Sequence, residues 1–303
     1  MEKTTHIVRN DKDTVFRMLF RDKARLLELY NAVNQTSYEN PEELQIVTLE
    51  NAVYLGMKND VAFIIDFHMY LYEHQSTVNP NMPLRFLQYV AKEYEKLVKQ
   101  DKLYRNKKSY IPAPKFYVFY NGQEKQPEHW TEYLSQSFEK EETDPALELK
   151  VEFFNINSGM NEKLMQHCKT LSEYMQYVNM VRKNAMDMPL REAVNTAIDC
   201  CIKQGILSEF LRQNKAEVTA MSIFEYDEEA VRRIQRQDAI ETGQKLQLIL
   251  MILRKLQKGK EPEMIARELD EELQTVIRIC KAAEVCGMDA QSVYEYLEKK
   301  CQL

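Results

Sequence analysis

Glycine and proline are scarce in this 303-residue chain, at 7 and 9 residues. So few chain breakers imply long regular elements joined by few loops. No low-complexity tract and no internal repeat at a solenoid period are present. Long apolar runs are missing too: stretches such as Leu246–Leu253 are too short and interrupted to span a bilayer, so a membrane is not an expected partner. Met1–Asn10 is polar and lacks the basic start and apolar core of an export signal, and a cytoplasmic location is the expectation. The six cysteines, Cys168, Cys200, Cys201, Cys280, Cys286 and Cys301, form no C-x-x-C pair and have no histidine at metal-ligand spacing. That excludes a zinc site and favours reduced packing residues over a disulfide framework. The five histidines are scattered and offer neither a Cys-His nor a Ser-His-Asp arrangement.

What is present is ample apolar material, 44% of residues, enough for a sizeable core and for two domains. The net charge of −6 hides a local asymmetry. From Asn81 to Lys125, ten basic residues (Arg85, Lys92, Lys96, Lys99, Lys102, Arg105, Lys107, Lys108, Lys115, Lys125) stand against four acids. Such a stretch is either a solvated helix face with a lysine-rich loop or a phosphate-contacting surface.

Helical spacing runs from Thr14 to Val33, ending before the Asn34–Asn40 turn region. Strand patterns follow at Gln45–Tyr54, Asp60–Asp66 and Tyr70–Ser76, with Phe67-His68 near a hairpin tip. Pro83 then opens an amphipathic helix, and Lys115–Tyr120 and Glu148–Asn155 supply two more strands. After Asn157-Ser158-Gly159 the pattern turns helical throughout, which predicts a first domain over 1–158 and a helical domain over 159–303.

The residues that point to chemistry are Asp60, Glu73 and Gln75, in the pattern D-x12-E-x-Q across two strand-like runs. Glu73 and Gln75 are two apart and leave a strand on one face, while His74 points to the other. If the runs pair as a hairpin, two carboxylates and an amide converge at one end of a sheet, an arrangement that holds a hard divalent cation beside a phosphodiester. Asp60 opens the apolar run VAFII, and an acid there calls for a partner, a metal or solvent. The plainer alternative is a Lys58-Asn59-Asp60 turn with Glu73 as an ordinary exposed strand residue.

A helix, a three-stranded meander, a second helix and a further strand, with D60…E73-H74-Q75, resemble the PD-(D/E)XK nucleases with glutamine in place of lysine and Asn59 in place of proline. More closely, the chain resembles the bacterial recombination-promoting nuclease (Rpn) family of transposase-related proteins. DTVFRMLF near the start, NPNMPLRFLQY entering the second helix and PAPKFYVFYNG at the next strand agree with it, over about the first 155 residues. The resemblance implies a restriction-endonuclease-like α/β core, a central mixed sheet flanked by helices, followed by an all-α C-terminal region. It implies a DNA endonuclease in which Asp60, Glu73 and the His74 backbone carbonyl hold Mg2+ or Mn2+. Gln75 takes the place of the catalytic lysine without its charge, leaving Arg85, Lys115 or a second cation to compensate. Asp13 belongs to the family's D-x-x-F pattern, although helix capping also explains it. Gln88 and Tyr89 line the cleft in this reading, and Lys92, Lys96, Lys99, Arg105, Lys107 and Lys108 contact the DNA backbone. The competing class is an inactive nuclease fold that binds nucleic acid or protein partners.

The last sixty residues resemble a helix-turn-helix over about 245–283. Asp270, Glu271 and Glu272 would open its recognition helix and repel phosphate. A packing or oligomerisation hairpin is the expectation, with a homodimer through the helical region as a possible assembly.

Overall fold

In the computed structural model, residues 14–47, 60–98, 103–104 and 106–301 are described, excepting the side chains of 227–238 and 298–301. Asp13, Lys99, Arg105 and most of the expected first strand lie outside them.

Among the described residues, six strands, β1 (Gln45–Ile46), β2 (Val61–Ile65), β3 (His68–Gln75), β4 (Ala113–Tyr120), β5 (His129–Tyr133) and β6 (Lys150–Asn155), form one sheet in the order β1-β2-β3-β4-β6-β5. The sheet is mixed, as expected: β3, β4 and β6 run parallel, and the other neighbours are antiparallel. β2 and β3 close as a two-residue hairpin whose tip residues, Asp66 and Phe67, both have positive φ, at 46° and 59°. That turn matches the right-handed twist of paired strands. α3 (Met82–Leu97) connects the parallel strands β3 and β4, with Pro83 in its first turn.

Strand alternation gives the sheet two apolar faces. Val61, Phe63, Tyr70, Tyr72, Tyr117 and Phe119 pack on one side with α1 (Val15–Phe20) and α2 (Lys23–Asn34). The same core takes in Leu164 of α4 (Glu162–His167), Leu171, Tyr174 and Val178 of α5 (Lys169–Asn184), and Val194 and Ile198 of α6 (Leu190–Gln204). Phe210 of α7 (Ser208–Gln213) and Val218 of α8 (Lys215–Leu256) complete it. On the other side, Ala62, Leu71, Phe116, Val118 and Val151 meet Met82, Phe86, Tyr89 and Val90 of α3. Each such buried side chain stabilises the fold by roughly 1.5–3 kcal/mol.

The change of pattern at residue 158 marks the last strand, and the helices after it complete the core on one face of the sheet. The compact units are Met1–Asp227 and Glu228–Leu303. In the second unit, Ile249, Ile252 and Leu253 of α8 pack with α9 (Pro262–Leu269), α10 (Leu273–Cys286) and α11 (Ala290–Cys301) through Ile265, Val276, Ile279 and Val293. Asp270 turns the chain between α9 and α10 at φ 56°, and Glu271 and Glu272 are exposed beside it. Among the described residues, no helix is long and apolar enough to cross a membrane.

Candidate functional site

The hairpin register pairs Val61 with Tyr72, which brings Asp60 opposite Glu73 at the next step. A backbone N–H of the opposing segment anchors each carboxylate. Asp60 N–H donates to Glu73 Oε2 (3.2 Å), and His74 N–H donates to Asp60 Oδ2 (2.7 Å). A strand residue directs its N–H and C=O to the same side, so the His74 carbonyl also faces the Asp60 side of β3. Glu73 and Gln75 share the α3 face of the sheet, at the carboxyl end of the parallel strands where α/β sheets commonly place ligands.

α3 supplies the rest of the site. Its buried seam runs through Met82, Phe86, Tyr89, Val90 and Glu93, and Arg85 flanks that seam one turn after Met82. Arg85 Nη2 donates to Glu73 Oε1 at 2.6 Å, while Nε and Nη2 donate to Tyr89 Oη at 3.1 and 2.7 Å. The Met82 sulfur accepts from Arg85 Nη1 and from Gln75 Nε2. Gln75 is 8% exposed, and its Oε1 is buried without a hydrogen-bond partner.

Burial, and then the Asp60 charge, raise the Glu73 pKa above the ordinary carboxylate value; Arg85 and Arg17 offset part of this. Burial opposes the Arg85 charge, yet Glu73 and Tyr89 hold its pKa above the usual arginine value. Burial and the Glu73 charge push Tyr89 up to about 12, so it stays a neutral hydroxyl. His74 lies on the other face, stacked on Phe16 (ring centroids 5.0 Å apart) with Nε2 3.2 Å from Tyr174 Oη. Burial and the Arg182 charge depress its pKa to about 3, which keeps the imidazole neutral and makes it a packing group.

Several expected residues lie elsewhere. Lys115 pairs with Tyr70 and therefore projects from the face opposite Glu73, so it does not compensate for the missing lysine. Gln88 is on the exposed side of α3. Apart from Arg85, the described basic residues on α3 and just before β4 are not beside the acids: Tyr94 Oη donates to the Pro112 carbonyl, and Ala113 pairs with His68 at the start of β3. Five strand residues, roughly 17 Å, separate His68 from Glu73. Lys92 and Lys96 on the later turns of α3, and Lys107 and Lys108 before β4, thus lie toward the other end of the sheet. Lys96 sits 3.5 Å from the buried Glu93, and Lys108 lies over the Tyr110 ring.

Two contributors escaped the sequence reading. Met82 orients Gln75 and Arg85, which no spacing pattern signals. Arg17, 1% exposed, adds positive potential at Glu73, and its sign in the sequence is a lone charge within the apolar VFRMLF.

Among the described residues, no group of three or more His, Cys, Asp and Glu side chains could hold a metal ion. What the site offers instead is two opposed carboxylates and, on the same face, a buried amide oxygen lacking a donor. Carboxylate oxygens keep spare lone pairs after one hydrogen bond each, and an all-oxygen set suits Mg2+ or Mn2+ rather than a soft metal. The residues present therefore offer oxygen donors of the kind such a cation takes, one of them, Glu73 Oε1, already paired with Arg85. No family model, curated protein or solved structure matches this chain.

Proposed function

We propose that this chain is a metal-dependent DNA endonuclease of the Rpn type, with a PD-(D/E)XK-like core whose lysine is replaced by Gln75. One observation carries the reading: Asp60 and Glu73 meet at the carboxyl edge of the sheet, each anchored through a backbone N–H of the opposing strand. Asp60, Glu73 and the His74 carbonyl would hold Mg2+ or Mn2+, which when bound supplies positive charge against that growing on a phosphodiester. Among the described residues, Arg85 is ion-paired with Glu73. Its guanidinium, braced by the Tyr89 hydroxyl, is placed to neutralise phosphate charge in the role a lysine fills elsewhere in the superfamily. Tyr89 positions Arg85, and His74 fixes Asp60 through its N–H while its ring anchors the strand to α1 and α5.

The 2.6 Å ion pair between Arg85 and Glu73 favours a second reading, in which the guanidinium permanently takes the place of a cation and the fold is a binding module. Plasmid cleavage separates the two. Purified full-length protein with Mg2+ or Mn2+ is expected to nick or cut plasmid DNA, and Asp60→Ala to abolish cutting while retaining the wild-type melting profile. Equal behaviour of wild type and Asp60→Ala would leave only the binding-module reading.

A further inference from the structure

We propose that Gln75 is a cation ligand through Oε1, the third side-chain oxygen of the acidic pair, rather than a neutral stand-in for a lysine. The inference rests on the reading of Asp60 and Glu73 as a cation site and assigns one more atom to it.

Three observations converge on that atom. Strand alternation places Gln75 on the same face as Glu73, one pleat further toward the carboxyl end of β3. The amide has a defined orientation: a thioether sulfur only accepts, so the amide end that meets Met82 Sδ is nitrogen, and the oxygen end diverges from it. That oxygen is buried with no hydrogen-bond partner, in a residue only 8% exposed, on the face of β3 that also carries Glu73, and among the described residues no third His, Cys, Asp or Glu side chain joins Asp60 and Glu73. A buried acceptor without a donor is unfavourable, and native structures rarely keep one without a reason. Arg85, which flanks the site, directs N–H groups to Glu73, Tyr89 and Met82, and none of these bonds reaches that oxygen. A hard divalent cation needs no N–H; it takes about six oxygens, amide carbonyls among them. Two carboxylates, the Gln75 oxygen and the His74 carbonyl would leave room for water.

A lysine surrogate would need the opposite arrangement. To touch phosphate or water as a donor, Gln75 would turn its nitrogen outward, whereas here the nitrogen faces Met82.

The test is Mn2+ binding to the full-length protein without nucleic acid, followed by calorimetry or by the EPR signal of free Mn2+. Gln75→Leu keeps the bulk, adds no charge and removes the oxygen. It is expected to weaken Mn2+ binding at least tenfold while leaving the metal-free melting temperature unchanged or higher, because an unpartnered buried acceptor has been removed. Gln75→Glu, the folding-safe companion, is expected to bind at least tenfold more tightly. Gln75→Leu binding Mn2+ within twofold of wild type overturns the ligand role alone, provided Asp60→Ala loses binding. No Mn2+ binding by wild type that Asp60→Ala removes would overturn the cation site itself, and the ligand role with it.

Discussion

Glu73 and His74 are neighbours with opposite electrostatics. Burial raises the pKa of the first and lowers that of the second, because it disfavours whichever form is charged. The stability consequence of His74 has a definite sign. The folded imidazole stays neutral down to about pH 3, whereas the unfolded one gains a proton near the ordinary imidazole value of 6.5. Between those values the unfolded state binds the extra proton, so stability present above 6.5 is lost as the pH falls through that window. His74→Gln retains a partner for Tyr174 and cannot titrate. Urea unfolding at pH 7 and pH 4.5 is expected to show the wild type losing roughly 1–3 kcal/mol more than the variant over that interval. At this scale the sequence is legible wherever a period of two suffices: it separates Glu73 and Gln75 from His74. It does not place Lys115, whose face depends on the register of β3 against β4, or Met82, whose sulfur reaches Gln75 only once α3 has docked.

The β2–β3 hairpin controls whether Asp60 and Glu73 meet, and its turn is built from unfavourable residues. Two consecutive positive-φ positions usually hold Asn-Gly or Asp-Gly; here the second is Phe67, at φ 59° and 86% exposed. Its ring buries little and its β-carbon crowds the backbone in that conformation. Phe67→Gly removes the crowding, retains the carbonyl that accepts from Ala113 N–H, and adds freedom to the unfolded chain. The expected net gain is about 0.5–1 kcal/mol, measured as a higher urea midpoint by fluorescence of Trp130, the single tryptophan. The elements themselves were largely legible, since β2, β3, β4 and β6 are apolar runs that two-sided burial demands. β5 was missed because HWTEY is an edge strand with no buried residue and so no hydrophobic alternation to detect.

Residue 158 and residue 227 are rival places to end the first unit, and they differ in what they leave uncovered. Local pattern favours 158, where strands stop. Packing favours 227, because Leu171, Tyr174, Val178, Val194 and Ile198 share one core with Tyr72 and Phe119 of the sheet. Periodicity along the chain cannot reveal this, since an amphipathic helix looks the same whether its apolar face meets another helix or a sheet. A chain ending at Asn157 would uncover part of the aromatic face of β3 and β4, including the side of the His74 ring that Tyr174 covers, and is expected to aggregate or remain unfolded. A chain ending at Asp227 retains that core, and the core around Ile252 and Val276 that it omits is separate. The longer fragment is therefore expected to unfold cooperatively, with a Trp130 transition within about 1 kcal/mol of the full chain's, and to bind Mn2+ with the full chain's affinity. Far-UV circular dichroism and Trp130 fluorescence on both fragments decide it: a folded, monomeric 1–157 fragment would show that the helices of the first unit are dispensable to the sheet that carries Asp60 and Glu73.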